Sequence, residues 1–267
     1  MPAKTIRTGT LGKVDLRLAQ EGQEFFGISD GKIIVQGGDA DDVWRRLHDE
    51  AGKSDPKYFG FDGAINRFLK FFPNGFNSPG FDSQERAYKI SAKVKLERAV
   101  PLVSALEGSG HGEAILSAFR ATNLLYPVEK TRLQELLRGT DADRFIRSAA
   151  SFVSKETASA LRDMELALKP YDNAKWTVVT YLPYLWRSEH HMFLKPEVTK
   201  DFAARVGHSF ASRYDSQLDL GVYESLLDLV QKTEQALKPL KPRDRIDIQS
   251  FIWIVGDYRE DRESTYV

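Results

Sequence analysis

Residues 58 to 81 read YFGFDGAINRFLKFFPNGFNSPGF and hold seven of the sixteen phenylalanines in the chain. Ile65, Phe68 and Phe72 recur at the three- and four-residue spacing of one helix face, and the Pro-Asn-Gly sequence that follows is a strong helix breaker. From residue 62 onward the chain shows almost only helical periodicity. This stretch therefore marks the start of a helical body.

The segments before this stretch have a different pattern. KVDLRLA, EFFGI and KIIVQ are short apolar runs within residues 10 to 36, and the last two flank an Asp-Gly step that is typical of a hairpin. Asp39 then provides an N-cap for a helix that ends near Gly52. We therefore predict an α+β, mainly helical protein, in which a small antiparallel sheet of two or three strands and one helix (residues 1–57) pack on a multi-helix body (residues 58–267) as one continuous unit.

Most of the body is predicted to be helical from its periodicity and its capping residues. The segment KWTVVTYLPYLW, residues 175 to 186, is ambiguous, because its β-branched residues favour a strand whereas its lack of alternation favours a buried helix. We predict a helix that Pro183 kinks or ends. The other predicted helices run from Ser83 toward Leu96, over 112–125, 127–138, 141–154, 156–168 and 196–206, from Asp219 to Leu237, and from Pro242 to Gly256.

Composition excludes several classes of protein. The chain has no cysteine, so it can form neither disulfides nor thiolate metal sites, and only His, Asp and Glu remain as strong metal ligands. Lys+Arg and Asp+Glu are equal at 38 each, so no net field attracts a polyanion. No run approaches the roughly 18 apolar residues that span a bilayer, and MPAKTIRTGTLGK lacks a signal-peptide core. We expect a cytoplasmic protein with no membrane contact and no cofactor.

The phenylalanine-rich stretch has two interpretations. Most of its rings are expected to be buried as an aromatic core that joins the sheet unit to the helical body. The chain between Arg67 and Arg98 also carries seven basic residues against three acidic ones. Basic side chains beside aromatic rings can bind phosphates and stack on bases, although a charge run on a helix is commonly only a solvated face. The residues of this predicted DNA or RNA surface are Arg67, Lys70, Phe71, Phe76, Arg86, Lys89 and Lys93, with Arg86, Lys89 and Lys93 on one helix face.

Two further groups are candidate metal ligands of a hydrolase or nuclease. His190 and His191 lie near His208 in sequence, but adjacent histidines on one element point in different directions. Asp244 and Asp247 form an acidic pair of the kind that holds Mg²⁺, and they could equally complement the N-terminus of a helix. No residue is assigned a catalytic role.

Three segments carry a family resemblance: YFGFDGAINRFLKFFPNGF with the following ERAYK, then KWTVVTYLPYLWRSEHHMFLKPEVTKDFA, and DRIDIQSFIWIVGDY. They resemble a conserved bacterial family of uncharacterised proteins associated with restriction or phage-defence neighbourhoods. The resemblance covers most of the chain from about residue 58 and implies no active site. Together with the basic residues, it favours an accessory nucleic-acid-binding protein in bacterial defence. A metal-dependent hydrolase or nuclease and a protein-interaction or regulatory module are the alternatives, and the oligomeric state is left open.

Overall fold

The computed structural model describes residues 3–11, 14–52, 59–155 and 157–257. Within these ranges, the N-terminal part forms one antiparallel sheet with strand order β1-β2-β3-β4. The last three strands correspond to the three predicted apolar runs, whereas β1 was not predicted. The strands are β1 (Lys4–Leu11), β2 (Val14–Glu21), β3 (Glu24–Ser29) and β4 (Lys32–Gly37).

A two-residue turn and an N-cap explain how this unit is built. Asp30 and Gly31, with φ of 46° and 80°, connect β3 to β4, and two successive positive φ angles match the twist of a tight hairpin. The Asp39 carboxylate accepts a hydrogen bond from the backbone N–H of Asp42 at 2.7 Å and caps the next helix. The side chain of Trp44, on that helix, packs with Leu18 of β2 in a small core.

The remainder of the described chain is helical, as predicted. None of its helices is long and apolar enough to cross a bilayer. The helices are α1 (Ala40–Gly52), α2 (Gly60–Phe71), α3 (Pro79–Phe81), α4 (Ala87–Ala99), α5 (Leu102–Glu107), α6 (Gly112–Arg120), α7 (Pro127–Arg138), α8 (Ala142–Lys155), α9 (Ala158–Leu168), α10 (Trp176–Val179), α11 (Tyr181–Trp186), α12 (Pro196–Arg205), α13 (Phe210–Arg213), α14 (Leu220–Ala236) and α15 (Arg245–Asp257).

Several helix boundaries differ from the sequence-based prediction: the helix expected over 112–125 ends at Arg120, and the one expected from Pro242 begins at Arg245. The helix expected from Ser83 begins at Pro79, and a π-helical turn over Asp82–Arg86 joins α3 to α4. Residues 176 to 186 are helical, but the break lies at Thr180 and not at Pro183. Pro183 is in the first turn of α11, where a missing N–H is tolerated because that position has few helical partners.

The phenylalanine-rich stretch forms the centre of the body core. The ring of Phe68 lies 5.0 Å from that of Phe76, 6.0 Å from that of Phe81 and 5.2 Å from that of Phe251 in α15, measured between centroids. The rings therefore join α2 to α15 within the body. The expectation that they connect the sheet unit to the body is wrong, because the sheet and α1 have a separate core.

The sheet unit contacts the body just before α13, where the Ser209 hydroxyl donates to Asp41 of α1 at 3.4 Å. The predicted boundary between residues 57 and 58 lies outside the described residues.

Candidate functional site

The predicted basic face on α4 is not exposed. The side chain of Lys89 is 1% exposed and that of Arg86 is 12% exposed. Both point toward α15, where Arg86 contacts Asp247 and Lys89 contacts Ser250. The expectation that these residues form a solvated face is therefore wrong, and they offer no surface to the phosphates of a nucleic acid.

Arg86 is held by two carboxylates from the start of α15. Its Nη1 and Nη2 donate to the two oxygens of Asp244 at 2.7 and 2.8 Å, and Nη1 also donates to Asp247 at 2.8 Å. Asp247 is fully buried and accepts a further bond from Nε of Arg243 at 2.9 Å. Charge-assisted pairs of this geometry are among the strong interactions of a protein.

These pairs determine the protonation of the network. Burial alone lowers the pKa of Arg86, but the hydrogen bonds to Asp244 and the charge of Asp247 outweigh it and raise the pKa above its usual value. Burial raises the pKa of Asp244, but the hydrogen bonds and charge of Arg86 outweigh this effect and lower the pKa overall. Asp244 and Asp247 are thus committed to arginines, which corrects their assignment as metal ligands. No group of three or more possible metal ligands occurs in the described ranges.

The other residues of the predicted nucleic-acid surface are dispersed. Phe71 and Phe76 are buried, so neither ring can stack on a base. Arg67 donates to the carbonyl of Val255 at 3.0 Å, and Lys93 forms an ion pair with Glu189 at 3.3 Å. Lys70 is exposed, and it is the one basic residue of the set with this exposure.

The three candidate histidines do not form a cluster. His191 is buried, with its two ring nitrogens at hydrogen-bond distance from the Tyr223 hydroxyl and the carbonyl of Val153, and burial lowers its pKa to about 4. His208 pairs with Asp228 at 2.8 Å. His190 is exposed. Because each of the two buried rings has its own partner, their assignment as ligands of one metal is wrong.

Lys89 is the most unusual charged residue of the body. Its Nζ donates to the hydroxyl of Ser250 in α15 at 2.7 Å and lies 3.4 Å from a carboxylate oxygen of Glu85. It also lies 5.3 Å from the ring centroid of Tyr88. Burial lowers the pKa of Lys89 to about 8, and the charge of Glu85 only partly opposes this effect. A strongly perturbed lysine in a cavity is a candidate functional residue.

A cavity of about 80 Å³ adjoins Lys89, and we name it the Lys89 cavity. Lys195, from the segment before α12, also lines it, and its Nζ lies 4.6 Å from the ring centroid of Trp253. Burial lowers the pKa of Lys195, opposed by the charges of Asp257 and Glu129. The lining residues are Gln84, Glu85, Tyr88, Lys89, Asn123, Leu124, Lys195, Gln249 and Trp253.

Two amide side chains in the lining each have a buried oxygen without a hydrogen-bond partner. They are Gln249 of α15, which is 4% exposed, and Gln84 of the π-helical turn. A buried polar atom without a partner costs roughly 1 to 3 kcal/mol. Exchanging the oxygen and nitrogen of either amide would leave a buried N–H₂ group in the same position. Both amides therefore point to a partner that the described residues do not supply.

Part of this site could be recognised in the sequence. Glu85, Lys89, Ala92 and Leu96 share helical spacing, and the last two are buried, so the pattern places a lysine on an apolar face. The basic residues around Lys89 in the sequence favour a solvated face instead, and they obscured this signal. No local pattern connects Lys195 or Gln249 with α4, since tertiary packing alone brings them together.

Comparison of the chain with protein-family models, with curated proteins and with solved structures finds no match. The function of this protein is therefore inferred from the geometry of its own residues.

Proposed function

We propose that the protein binds a small organic monoanion, with about two to four carbon atoms, in the Lys89 cavity. The observation that carries this proposal is the pairing of two lysines with one carboxylate around a cavity whose Gln249 side chain lacks a partner. Each of these features has a cost in free energy that a bound ligand would offset.

The charge of the lining favours an anion. Lys89 and Lys195 contribute two positive charges and Glu85 contributes one negative charge, so the lining carries one net positive charge when all three are ionised. A carboxylate would accept hydrogen bonds from the ammonium groups, and a hydroxyl or N–H of the same ligand could donate to an amide oxygen.

The size of the cavity restricts the ligand. A water molecule needs roughly 10 to 15 Å³ of such volume, so about 80 Å³ accommodates roughly five to eight water-sized groups. Sites for drug-sized ligands are several times larger. A carboxylate with two to four carbons matches this count, whereas a nucleotide or a peptide does not.

Larger grooves on the surface lack such unpartnered atoms, because none of the described residues that line them has a buried side-chain oxygen or nitrogen without a hydrogen-bond partner. One of about 640 Å³ lies beside Asp244, which is already paired with an arginine. Another, of about 510 Å³, shares Lys195 with the Lys89 cavity, but its Glu129 carboxylate already accepts a hydrogen bond from Thr177 at 2.8 Å. The two unpartnered amide oxygens therefore favour the Lys89 cavity as the ligand site.

The nucleic-acid hypothesis derived from the sequence stays untested. The contacts of Arg86 and Lys89 do not support it, because these residues were its central phosphate ligands and both are buried. Lys70 is exposed, but one lysine provides little of the counterion release on which such binding depends.

Thermal unfolding in the presence of acetate, propionate, lactate or pyruvate tests the proposal, with propionamide as a neutral analogue of propionate. We expect at least one carboxylate to raise the Tm, by a stabilisation of about 1.4 kcal/mol at ten times its Kd. Equal concentrations of sodium chloride control for ionic strength. Propionamide should have little effect, because it lacks the charge that the two lysines bind.

Two matched variants localise the effect. Lys89→Met removes an ammonium that lines this cavity and not the groove of about 510 Å³, which Lys195 also lines, and it should abolish most of the shift. Lys70→Met removes an exposed lysine of α2 and should leave the shift intact. If no carboxylate of the panel stabilises the protein more than propionamide does, the proposal is wrong.

A further inference from the structure

We propose that Nζ of Lys89 forms an imine with the carbonyl carbon of a 2-oxo carboxylate bound in the Lys89 cavity. This inference rests on the proposed function, since it assumes that the anion binds there, and it adds covalent chemistry to that binding. Its basis is the hydrogen-bond arrangement around Lys89 and the position of a carboxylate beside the amine.

The hydrogen bonds of Ser250 determine the role of Lys89. The Ser250 hydroxyl donates its single proton to the carbonyl of Ile246 at 2.8 Å, so it must act as the acceptor toward Nζ at 2.7 Å. A carboxylate oxygen of Glu85 accepts a second, longer hydrogen bond from Nζ at 3.4 Å. These two contacts use two of the positions around the tetrahedral nitrogen and leave a third for a ligand.

This third position gives the amine its reactivity. In the ammonium form it carries a proton, and in the neutral amine it carries the lone pair. The fraction of neutral amine near pH 8 is large, because burial lowers the pKa of Lys89 to about 8. Lysines desolvated in this way act as nucleophiles toward carbonyl groups.

The chemical step balances without a further reactant. The lone pair of the neutral amine attacks the carbonyl carbon, so that a C–N bond forms and the C=O π electrons move to the oxygen. The nitrogen then loses its two protons, the first to Glu85, and both are passed to the carbinolamine oxygen, which leaves as water while the C=N bond forms. The products are one imine and one water molecule, and no oxidant or reductant is consumed.

The lining also favours a carboxylate next to the carbonyl. Lys195 brings a second ammonium to the same cavity, and Trp253 covers that ammonium from one side. A carboxylate held near Lys195 keeps a carbonyl on the adjacent carbon inside the cavity that Lys89 also lines. Because the cavity is small, a 2-oxo acid with a short chain is preferred over one with a long or aromatic chain.

Reductive trapping tests the inference directly. The protein is incubated with pyruvate near pH 8 and treated with sodium borohydride, and its intact mass is then measured. We expect one dominant adduct, which adds the mass of pyruvate minus one oxygen atom. Peptide mapping should locate it at Lys89, and this measurement on the unaltered chain does not depend on the folding of any variant.

Three variants and one ligand serve as controls. Lys89→Met removes the amine and Lys89→Arg replaces it with a charged group that forms no such imine, so both should lose the adduct. Lys70→Met should retain it, because this lysine lies outside the cavity. Propionate has the carboxylate without the carbonyl, so it should bind and reduce trapping of pyruvate by competition.

The outcomes separate the two proposals. If pyruvate and propionate stabilise the protein but borohydride traps no adduct, or traps it on exposed lysines instead, the imine is wrong and anion binding stands. If neither ligand stabilises the protein and no adduct forms, both proposals are wrong. An adduct at Lys89 that propionate suppresses supports both.

Discussion

Raising the pH from about 7 to about 9.5 should stabilise the folded protein through Lys89. The folded chain releases the Lys89 proton near pH 8, because burial lowers its pKa from the usual 10.5, with Arg86 acting in the same direction and with Glu85 and Asp247 opposing. The unfolded chain keeps this proton to about pH 10.5. Between these values the unfolded state holds more protons, so its formation becomes less favourable as the pH rises.

The size of the effect follows from the two pKa values. At about pH 7 both states are protonated and Lys89 contributes almost no pH dependence. At about pH 9.5 the folded state is almost fully neutral at this site, and the linkage relation gives a gain of about 2 kcal/mol in the free energy of unfolding. The gain approaches about 3 kcal/mol above pH 10.5. There it is opposed by tyrosines such as Tyr88, whose pKa is raised by burial in the folded state, because they ionise first in the unfolded chain.

Urea unfolding at the two pH values, on the wild type and on Lys89→Met, measures this contribution. From the lower to the higher pH, the free energy of unfolding of the wild type should rise by about 2 kcal/mol relative to that of Lys89→Met, since methionine carries no proton at this position. Lys70→Met serves as the matched control and should follow the wild type. If Lys89→Met and the wild type show the same change with pH, Lys89 has an ordinary pKa and the case for a reactive amine fails.

Three other substitutions test the packing that holds the site. Asp247→Ala leaves two arginines short of a buried partner and should cost about 3 to 5 kcal/mol in urea unfolding, whereas Glu113→Ala, which breaks an exposed pair, should change stability little; equal losses would show that burial is irrelevant here. Phe68→Ala should lower stability by about 3 to 5 kcal/mol by opening a cavity among four rings, and a loss below about 1 kcal/mol would contradict its central position. Asp39→Ala should cost about 1 kcal/mol through the lost cap, a change that Asp39→Ser should largely avoid.

Much of the fold was predictable because its signals are local. The Asp30-Gly31 turn, the Asp39 cap and the spacing of apolar residues each depend on neighbours within a few positions, and each is confirmed. The β1 strand was missed because its sequence, KTIRTGTL, has few apolar residues and gains its order from pairing with β2. The π-helical turn before α4 has no sequence signature that we could use.

The site was less predictable because its contacts are remote in sequence. Arg86 forms a hydrogen bond with Asp244, which lies 158 residues away in the sequence, and Lys89 forms one with Ser250, which lies 161 residues away. A run of basic residues on α4 predicts a solvated surface unless these partners are known, since lysine and arginine are rarely buried without them. Burial of Lys89 was the one feature that local spacing could have indicated, through its place on the apolar face with Ala92 and Leu96.

Two energetic costs coincide at the Lys89 cavity. Burial of Lys89 reduces stability, as its lowered pKa measures, and the unpartnered oxygen of Gln249 adds a further penalty. By contrast, the larger buried network around Arg86 and Asp247 pairs its charges closely. A chain that pairs its charges closely around Asp247 and leaves buried amide oxygens without partners in the adjacent Lys89 cavity is expected to gain the missing contacts from a ligand. Ligand binding should therefore stabilise the wild type more than a Gln249→Leu variant, in which the amide oxygen and its need for a partner are both removed.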